Sequence, residues 1–257
     1  MSTDEVIRAF NKCAAQYKLL ASVQQRIAAQ FFSFVQTKKT KSGVLLDIGC
    51  GTGFLTQKIK AAYPSHTLIA LDAAPDMLAC LPRLDRMQLM CADFDAIPLA
   101  DNTCDAVFSS VALQWSQDVE KTLTEWLRVL KPGGQLSFST LLVGTLIEWD
   151  ACWEVVGDLR RVNRLLTEKE LHALCLPVNS QWIASQVSHL TEYHLTSADA
   201  LASVRDIGAG SRIRPSRKQG LMGQKKWQAF LSAYENRRTT EGLPLSYEVF
   251  YGTIQKK

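Results

Sequence analysis

The chain has 257 residues, 47% of them hydrophobic and 21% charged, and a formal net charge of +4. That balance suits a globular chain able to bury a large core, and the small charge argues against general nucleic-acid binding. No apolar run approaches the ~18 residues that a membrane span needs, and the polar first residues lack the apolar stretch of a secretory signal, so a cytoplasmic protein with no membrane partner is expected. The seven cysteines, at positions 13, 50, 80, 91, 104, 152 and 175, form no C-x-x-C pair and have no histidine at ligand spacing. They are expected to be buried free thiols, with no metal site.

Residues 1–36 read as a helical cap, with Val6, Phe10, Ile27, Phe31 and Phe34 as its apolar positions. After a polar connector at 37–42, the apolar run Val44-Leu45-Leu46 ends in Asp47-Ile48-Gly49 and reads as a fully buried strand. A helix is expected over 53–62, a strand over 67–71 ending at Asp72, and a helix from Pro75, a residue suited to a first helical position. Strands at 87–91 and 105–109 follow, then a helix over 118–130 that Lys131-Pro132-Gly133-Gly134 should end in a turn. A fifth strand is expected over 135–141. Strands alternating with helices predict an α/β fold with a mostly parallel, doubly wound sheet. Beyond 142 the rhythm weakens. Helical additions are expected around 145–158, 167–175, 198–207 and 224–236, with a polar strand at 182–194 and a closing strand within 246–257. The whole reads as one domain whose cofactor-binding core is 43–142.

The strongest local signal is the loop DIGCGTG at 47–53. A turn that lets a ligand touch the backbone needs residues without a Cβ, which fits Gly49 and Gly51. In open α/β sheets ligands bind at the carboxyl ends of strands where strand order switches. Asp47 would face a pyrophosphate unfavourably but suits an ammonium group, and Gly53 comes too early for G-x-G-x-x-G. Asp72 can accept ribose hydroxyls, and Asp93 can receive an exocyclic amine. Each alone could be a helix N-cap; three strand-end acids after a glycine loop form a pattern.

VLLDIGCGTG at 44–53, Asp72, Ala92-Asp93 and LKPGG at 130–134 resemble the class I S-adenosylmethionine-dependent methyltransferases. That resemblance implies a Rossmann-like, seven-stranded sheet with an antiparallel last strand and S-adenosyl-L-methionine as cofactor. It implies Asp47 and Gly49 by the methionine part, Asp72 by the ribose, and Asp93 with Phe94 by the adenine, with Cys50, Gly51, Ala73, Met77, Ser110 and Leu113 also expected to bind the cofactor. A narrower resemblance runs along nearly the whole chain. FNKCAAQY at 10–17 with Ala21 and Gln24, LQW at 113–115, VNR at 162–164, DIGA at 206–209, GLMG at 220–223 and SYEV at 246–249 are similar to the malonyl-acyl-carrier-protein O-methyltransferases of biotin synthesis. It implies methylation of the free carboxylate of malonyl-phosphopantetheine on acyl-carrier protein.

A carboxylate is ionised at neutral pH, so such a reaction needs alignment rather than a general base. Arg205 is the expected clamp for the malonyl carboxylate because a guanidinium matches carboxylate geometry. Tyr17 is expected to close the site from the cap, and Gln114 and Trp115 to line the pocket. Between residues 205 and 238 nine cations face two acids. Within that stretch Arg212, Arg214, Lys218 and Lys225 are expected to meet the acidic carrier protein. The competing readings are another small carboxylate or quinone-pathway acceptor, a nucleic-acid substrate, and a non-catalytic module that keeps the cofactor fold. No Asn-Pro-Pro-Tyr-like tetrapeptide follows the fourth strand, which disfavours nucleic acid.

Overall fold

The computed structural model describes residues 3–35, 41–157, 165–174, 179–207 and 224–257. Two helices come first, α1 (Thr3–Leu20) and α2 (Ser22–Phe34), where the sequence reads one helical stretch. They part at Ala21, whose φ of −89° and ψ of 51° leave the helical region. The break lets the two helices bury different surfaces. Val23, Ile27 and Phe31 of α2 pack into the main core, while Ala14 of α1 meets Ala74 and Met77.

The alternation that the hydrophobic pattern predicts then appears. It comprises β1 (Val44–Ile48), α3 (Phe54–Ala62), β2 (Thr67–Asp72), α4 (Pro75–Ala79), β3 (Met87–Cys91), β4 (Cys104–Ser110), a single 3-10 turn (Leu113–Trp115), α5 (Val119–Val129) and β5 (Leu130–Leu141). Then come α6 (Ile147–Val155), α7 (Glu168–Leu174), β6 (Ser180–His194), α8 (Ser197–Arg205), α9 (Gln224–Glu235) and β7 (Leu243–Lys256). The seven strands form one sheet in the order β3-β2-β1-β4-β5-β7-β6. The first five are parallel, and β7 runs antiparallel to both β5 and β6. Side chains alternate across the sheet. Leu45 and Phe108 join a core with α2 and α3 on one face, and Leu46 and Val107 join Leu123, Trp126 and Leu127 of α5 on the other. Strand order reverses between β1 and β4, so the crevice that binds ligands in such sheets lies above their carboxyl ends.

Three boundaries differ from the sequence reading. Lys131-Pro132-Gly133-Gly134 is not a turn before β5 but an irregularity inside it: Cys104 pairs with Leu130, and pairing resumes at Ala106 with Gln135. Gly134 is required there, because a Cβ would lie 2.9 Å from the carbonyl oxygen of Asp105. The polar strand expected at 182–194 is present as β6, which begins two residues earlier and at 15 residues is the longest strand among the described residues. The closing strand is longer than expected and begins at Leu243.

The six described cysteines are free, but only Cys50, Cys104 and Cys152 are buried; Cys91 is exposed, and Cys175 lies outside the described residues. Among the described residues no helix is long and apolar enough to cross a membrane.

The helices that follow the core are tied to it by aromatic packing. Trp153 of α6, 1% exposed, stacks on Phe230 of α9 with ring centroids 4.1 Å apart. Trp153→Ala should cost about 3–5 kcal/mol of stability through the cavity it leaves. Urea unfolding measures this; a loss under about 1 kcal/mol would mean that the α6–α9 seam collapses freely.

Candidate active site

The turn between β1 and α3 builds the floor of the crevice. Gly49 has φ +65°, and a Cβ there would stand 2.5 Å from the Cβ of Ala112. Only glycine lets the first loop and the loop after β4 approach this closely. Gly51, with φ +53°, donates its N–H to Asp72 Oδ2 at 2.8 Å, and Ala74 N–H donates to Asp72 Oδ1 at 2.8 Å. One carboxylate thus fastens the loops after β1 and β2 together. Burial raises the pKa of Asp72, and the N–H groups of Ala74 and Gly51 oppose that rise.

Asp47, 1% exposed, sits at the next-to-last position of β1. Its Oδ2 accepts a hydrogen bond from Thr56 Oγ1 at 2.6 Å, while Oδ1 is buried with no partner. Burial pushes its pKa up to about 7; the Thr56 hydroxyl pulls it down and the charge of Asp72 adds to the rise. A buried acceptor without a donor is costly, so this oxygen calls for a cation or hydrogen-bond donor from outside the chain.

Two chambers open above these loops. The first, with about 880 Å³ of empty space, is floored by Asp47, Gly49, Gly51 and Asp72 and roofed by Val6, Ile7, Phe10 and Tyr17 of α1. The second, about 670 Å³, lies between α1, the 3-10 turn, the end of β5, α8 and β7. Phe10, Tyr17, Gln24, Val111 and Trp115 belong to both walls. Phe10 stands edge-on to Trp115, with centroids 5.2 Å apart, and Tyr17 stacks on Phe54 at 6.0 Å. Val111 has φ +55°, an outlier for a β-branched residue that marks stored strain of about 1–3 kcal/mol at the junction. Gln114 holds it there by donating Nε2–H to the carbonyl oxygen of Val111 at 2.6 Å.

Residues 46–138 match a methyltransferase-domain family. The chain is 36% identical to the biotin biosynthesis bifunctional protein BioHC of Cellvibrio japonicus, over 98% of this chain and 50% of that protein. It thus spans half the length of that relative. It is 32% identical to the malonyl-[acyl-carrier protein] O-methyltransferase of Hahella chejuensis, over 95% of this chain and 88% of that protein. The chain belongs to the malonyl-[acyl-carrier protein] O-methyltransferase family. This methyltransferase also shares its fold with phosphoethanolamine N-methyltransferase 2 of Haemonchus contortus, solved with S-adenosyl-L-methionine. The TM-score is 0.56 at 18% identity, over 90% of this chain and 52% of the other. The ligand of that neighbour, S-adenosylmethionine, carries a positively charged sulfur. The first chamber fits it: an orphaned buried oxygen on Asp47 awaits a cation, and nothing lies within 4 Å of where a Cβ on Gly51 would stand.

Of the cofactor residues expected from sequence, Asp47, Gly49, Cys50, Gly51, Asp72, Ala73, Met77, Phe94 and Ser110 line the first chamber of this methyltransferase. Asp93 does not. It is exposed, and its Oδ1 accepts from the N–H of Asp95 at 2.9 Å, closing a turn within its own loop. Leu113 is buried in the core on the α5 face and lies outside both chambers. Tyr17 and Trp115 line both chambers, and Gln114 lines the second. Arg205 is exposed, pairs with Asp206 at 2.6 Å and lies outside both chamber walls. The adjacent carboxylate takes the guanidinium at the surface, so the structure does not place it as a clamp. Lys225 is exposed in the first turn of α9, and Arg212, Arg214 and Lys218 lie outside the described residues. The sequence reading gave no site role to Gln24, Val111, Thr145, Ile207 or Tyr247. They come from five distant segments; Gln24, Ile207 and Tyr247 lie in stretches that carry the narrower resemblance, but nothing in those stretches marks them as sharing one wall.

Asp47 gives a pH signature in the protein without ligand. Its folded pKa of about 7 lies above the unfolded value of about 3.9, so between these values the folded state holds a proton that the unfolded state has lost. Its contribution is therefore present at low pH, falls as pH rises from about 4 to about 7, and is constant above. Measured by urea unfolding, Asp47→Asn should gain stability relative to wild type across that window. A pH-independent difference would show that Asp47 ionises normally.

Proposed function

We propose that this methyltransferase esterifies the free carboxylate of a malonyl thioester carried on acyl-carrier protein, giving the methyl ester that enters pimeloyl and biotin synthesis. One observation carries the reading: two chambers, one built by the glycine loop and strand-end acids, meet at a junction of five side chains in a chain similar along its length to enzymes of that name.

Bound S-adenosylmethionine supplies an electrophilic methyl group on a positively charged sulfur. Asp47 is suited to take its ammonium on the orphaned Oδ1, and Asp72 its ribose hydroxyls. Phe94 supports the adenine by its place in the same wall. The acceptor carboxylate is ionised at neutral pH, since such groups titrate near ~4, so its oxygen attacks without a base. A new C–O bond forms as the C–S bond breaks, the bonding pair stays on sulfur, and no proton moves. The residues at the junction fit that requirement. Burial raises the pKa of the Tyr17 hydroxyl, which therefore stays a neutral donor. Phe10, Val111 and Trp115 keep water from the line of attack, and alignment supplies the rate.

The carrier's arm reaches the second chamber from outside. Lys225 on α9, with the basic stretch that includes Arg212, Arg214 and Lys218, supports docking of an acidic carrier by charge.

Mass spectrometry of malonyl-carrier protein incubated with enzyme and S-adenosylmethionine should show the added methyl group, with saponification returning the acid. Lys225→Glu combined with Lys226→Glu should raise KM for the carrier-borne substrate about tenfold or less, as rim charges do, and leave KM for malonyl-coenzyme A nearly unchanged. Equal losses on both thioesters would remove the carrier from this surface.

A further inference from the structure

On the reading that a malonyl carboxylate is the acceptor, we infer that Gln24 binds it, with its side-chain amide donating to the oxygen that does not attack and Tyr17 as a second neutral donor. Gln24 stands in the first turn of α2, just past the break at Ala21, and is one of the five side chains shared by both chambers. The transferring methyl group must cross this junction, so whatever orients the acceptor carboxylate has to be here.

The other polar groups nearby are committed or misplaced. Gln114 spends its amide on the carbonyl oxygen of Val111 and on the hydroxyl of Thr140. Thr145 is tied to the backbone of Glu248 through both its hydrogen bonds. Tyr247 lies in the second chamber only. Phe10 and Val111 offer no polar side-chain group, and Trp115 packs edge-on against Phe10. The Gln24 amide, by contrast, makes no hydrogen bond to any described residue, although it is only partly exposed. Among the described residues, no lysine, arginine or histidine lines either chamber.

A neutral donor is also what the chemistry favours. The acceptor sits beside a sulfonium, which already supplies the opposite charge. A guanidinium at the junction would repel that sulfonium in a poorly screened space and would draw electron density from the attacking oxygen. An amide fixes the plane of the carboxylate, leaves its nucleophilicity largely intact and does not oppose the cofactor. Once the ester has formed the same amide holds a neutral group more weakly, which helps the product leave.

The test compares wild type with Gln24→Leu, which keeps the size and removes the hydrogen bonds, and Gln24→Glu, which keeps the shape and adds a negative charge. Because Gln24 also borders the cofactor chamber, S-adenosylmethionine affinity is measured by calorimetry alongside kcat and KM for malonyl-carrier protein. Gln24→Leu should lower kcat/KM about 10- to 100-fold, about 1.4–2.8 kcal/mol at 1.4 kcal/mol per tenfold, with the cofactor Kd within about threefold. Gln24→Glu should lose more turnover while binding the cofactor at least as tightly, a split that a purely structural role would not produce. Turnover within about threefold of wild type in Gln24→Leu would overturn the inference. So would a cofactor Kd that weakens in step with kcat/KM. Failure of the wild type to esterify malonyl-carrier protein would sink the acceptor reading and this inference with it. Loss confined to the Gln24 variants cannot be mistaken for that result.

Discussion

Asp47 keeps one carboxylate oxygen on the Thr56 hydroxyl and presents the other, sealed from water, to the cavity above β1. Burial opposes its ionisation, and a cationic ligand restores it. Much of the local structure serves to keep that carboxylate in place and approachable. Gly49 brings the loop after β4 within contact of the loop after β1, and Asp72 bolts the next loop onto the N–H of Gly51. The binding site for a positively charged nucleoside is therefore a property of three strand ends held in one plane, which is why it coincides with the reversal of strand order at β1 and β4.

The boundary between the two chambers is made differently. It has no acid and no glycine, only the two N-terminal helices and a strained turn after β4. Phe10 and Tyr17 come from α1, Gln24 from α2, and Val111 and Trp115 from the segment after β4. The left-handed backbone of Val111 is held by Gln114 and by the hydrogen bond from its own N–H to Ser139 on β5. Neighbouring structure thus pays for strain at the place where two ligands must come into line.

How much of this was legible in the sequence follows from distance along the chain. The parallel core could be read because each strand is a short apolar run with its own stop signal, and the cofactor half because DIGCGTG and Asp72 sit at consecutive strand ends. Local chemistry was ambiguous where it had two outlets. Asp93 could face a ligand or close its own turn, and its Oδ1 closes the turn. Arg205 could reach a carboxylate in the pocket or the one beside it in sequence, and Asp206 is nearer. The Pro-Gly-Gly segment could break a strand or bulge within it, and the register between β4 and β5 resumes past it. The acceptor chamber was not legible as a unit. Its walls run from Phe10 to Tyr247, more than two hundred residues apart, each an ordinary amphipathic or strand residue until the sheet brings them together.

The break at Ala21 separates an anchored helix from a perched one. α2 is embedded in the core through Val23, Ile27 and Phe31, whereas α1 buries only Ala14 and leans on α4 through Asn11, which accepts from the N–H of Asp76, and Lys18, which donates to the carbonyl of Cys80. Since α1 also forms the roof over the nucleoside, grip and exchange are set by the same shallow seam. Any change that fastens the roof more firmly slows the departure of spent cofactor, so the sparse docking of α1 is a compromise between holding a ligand and renewing it.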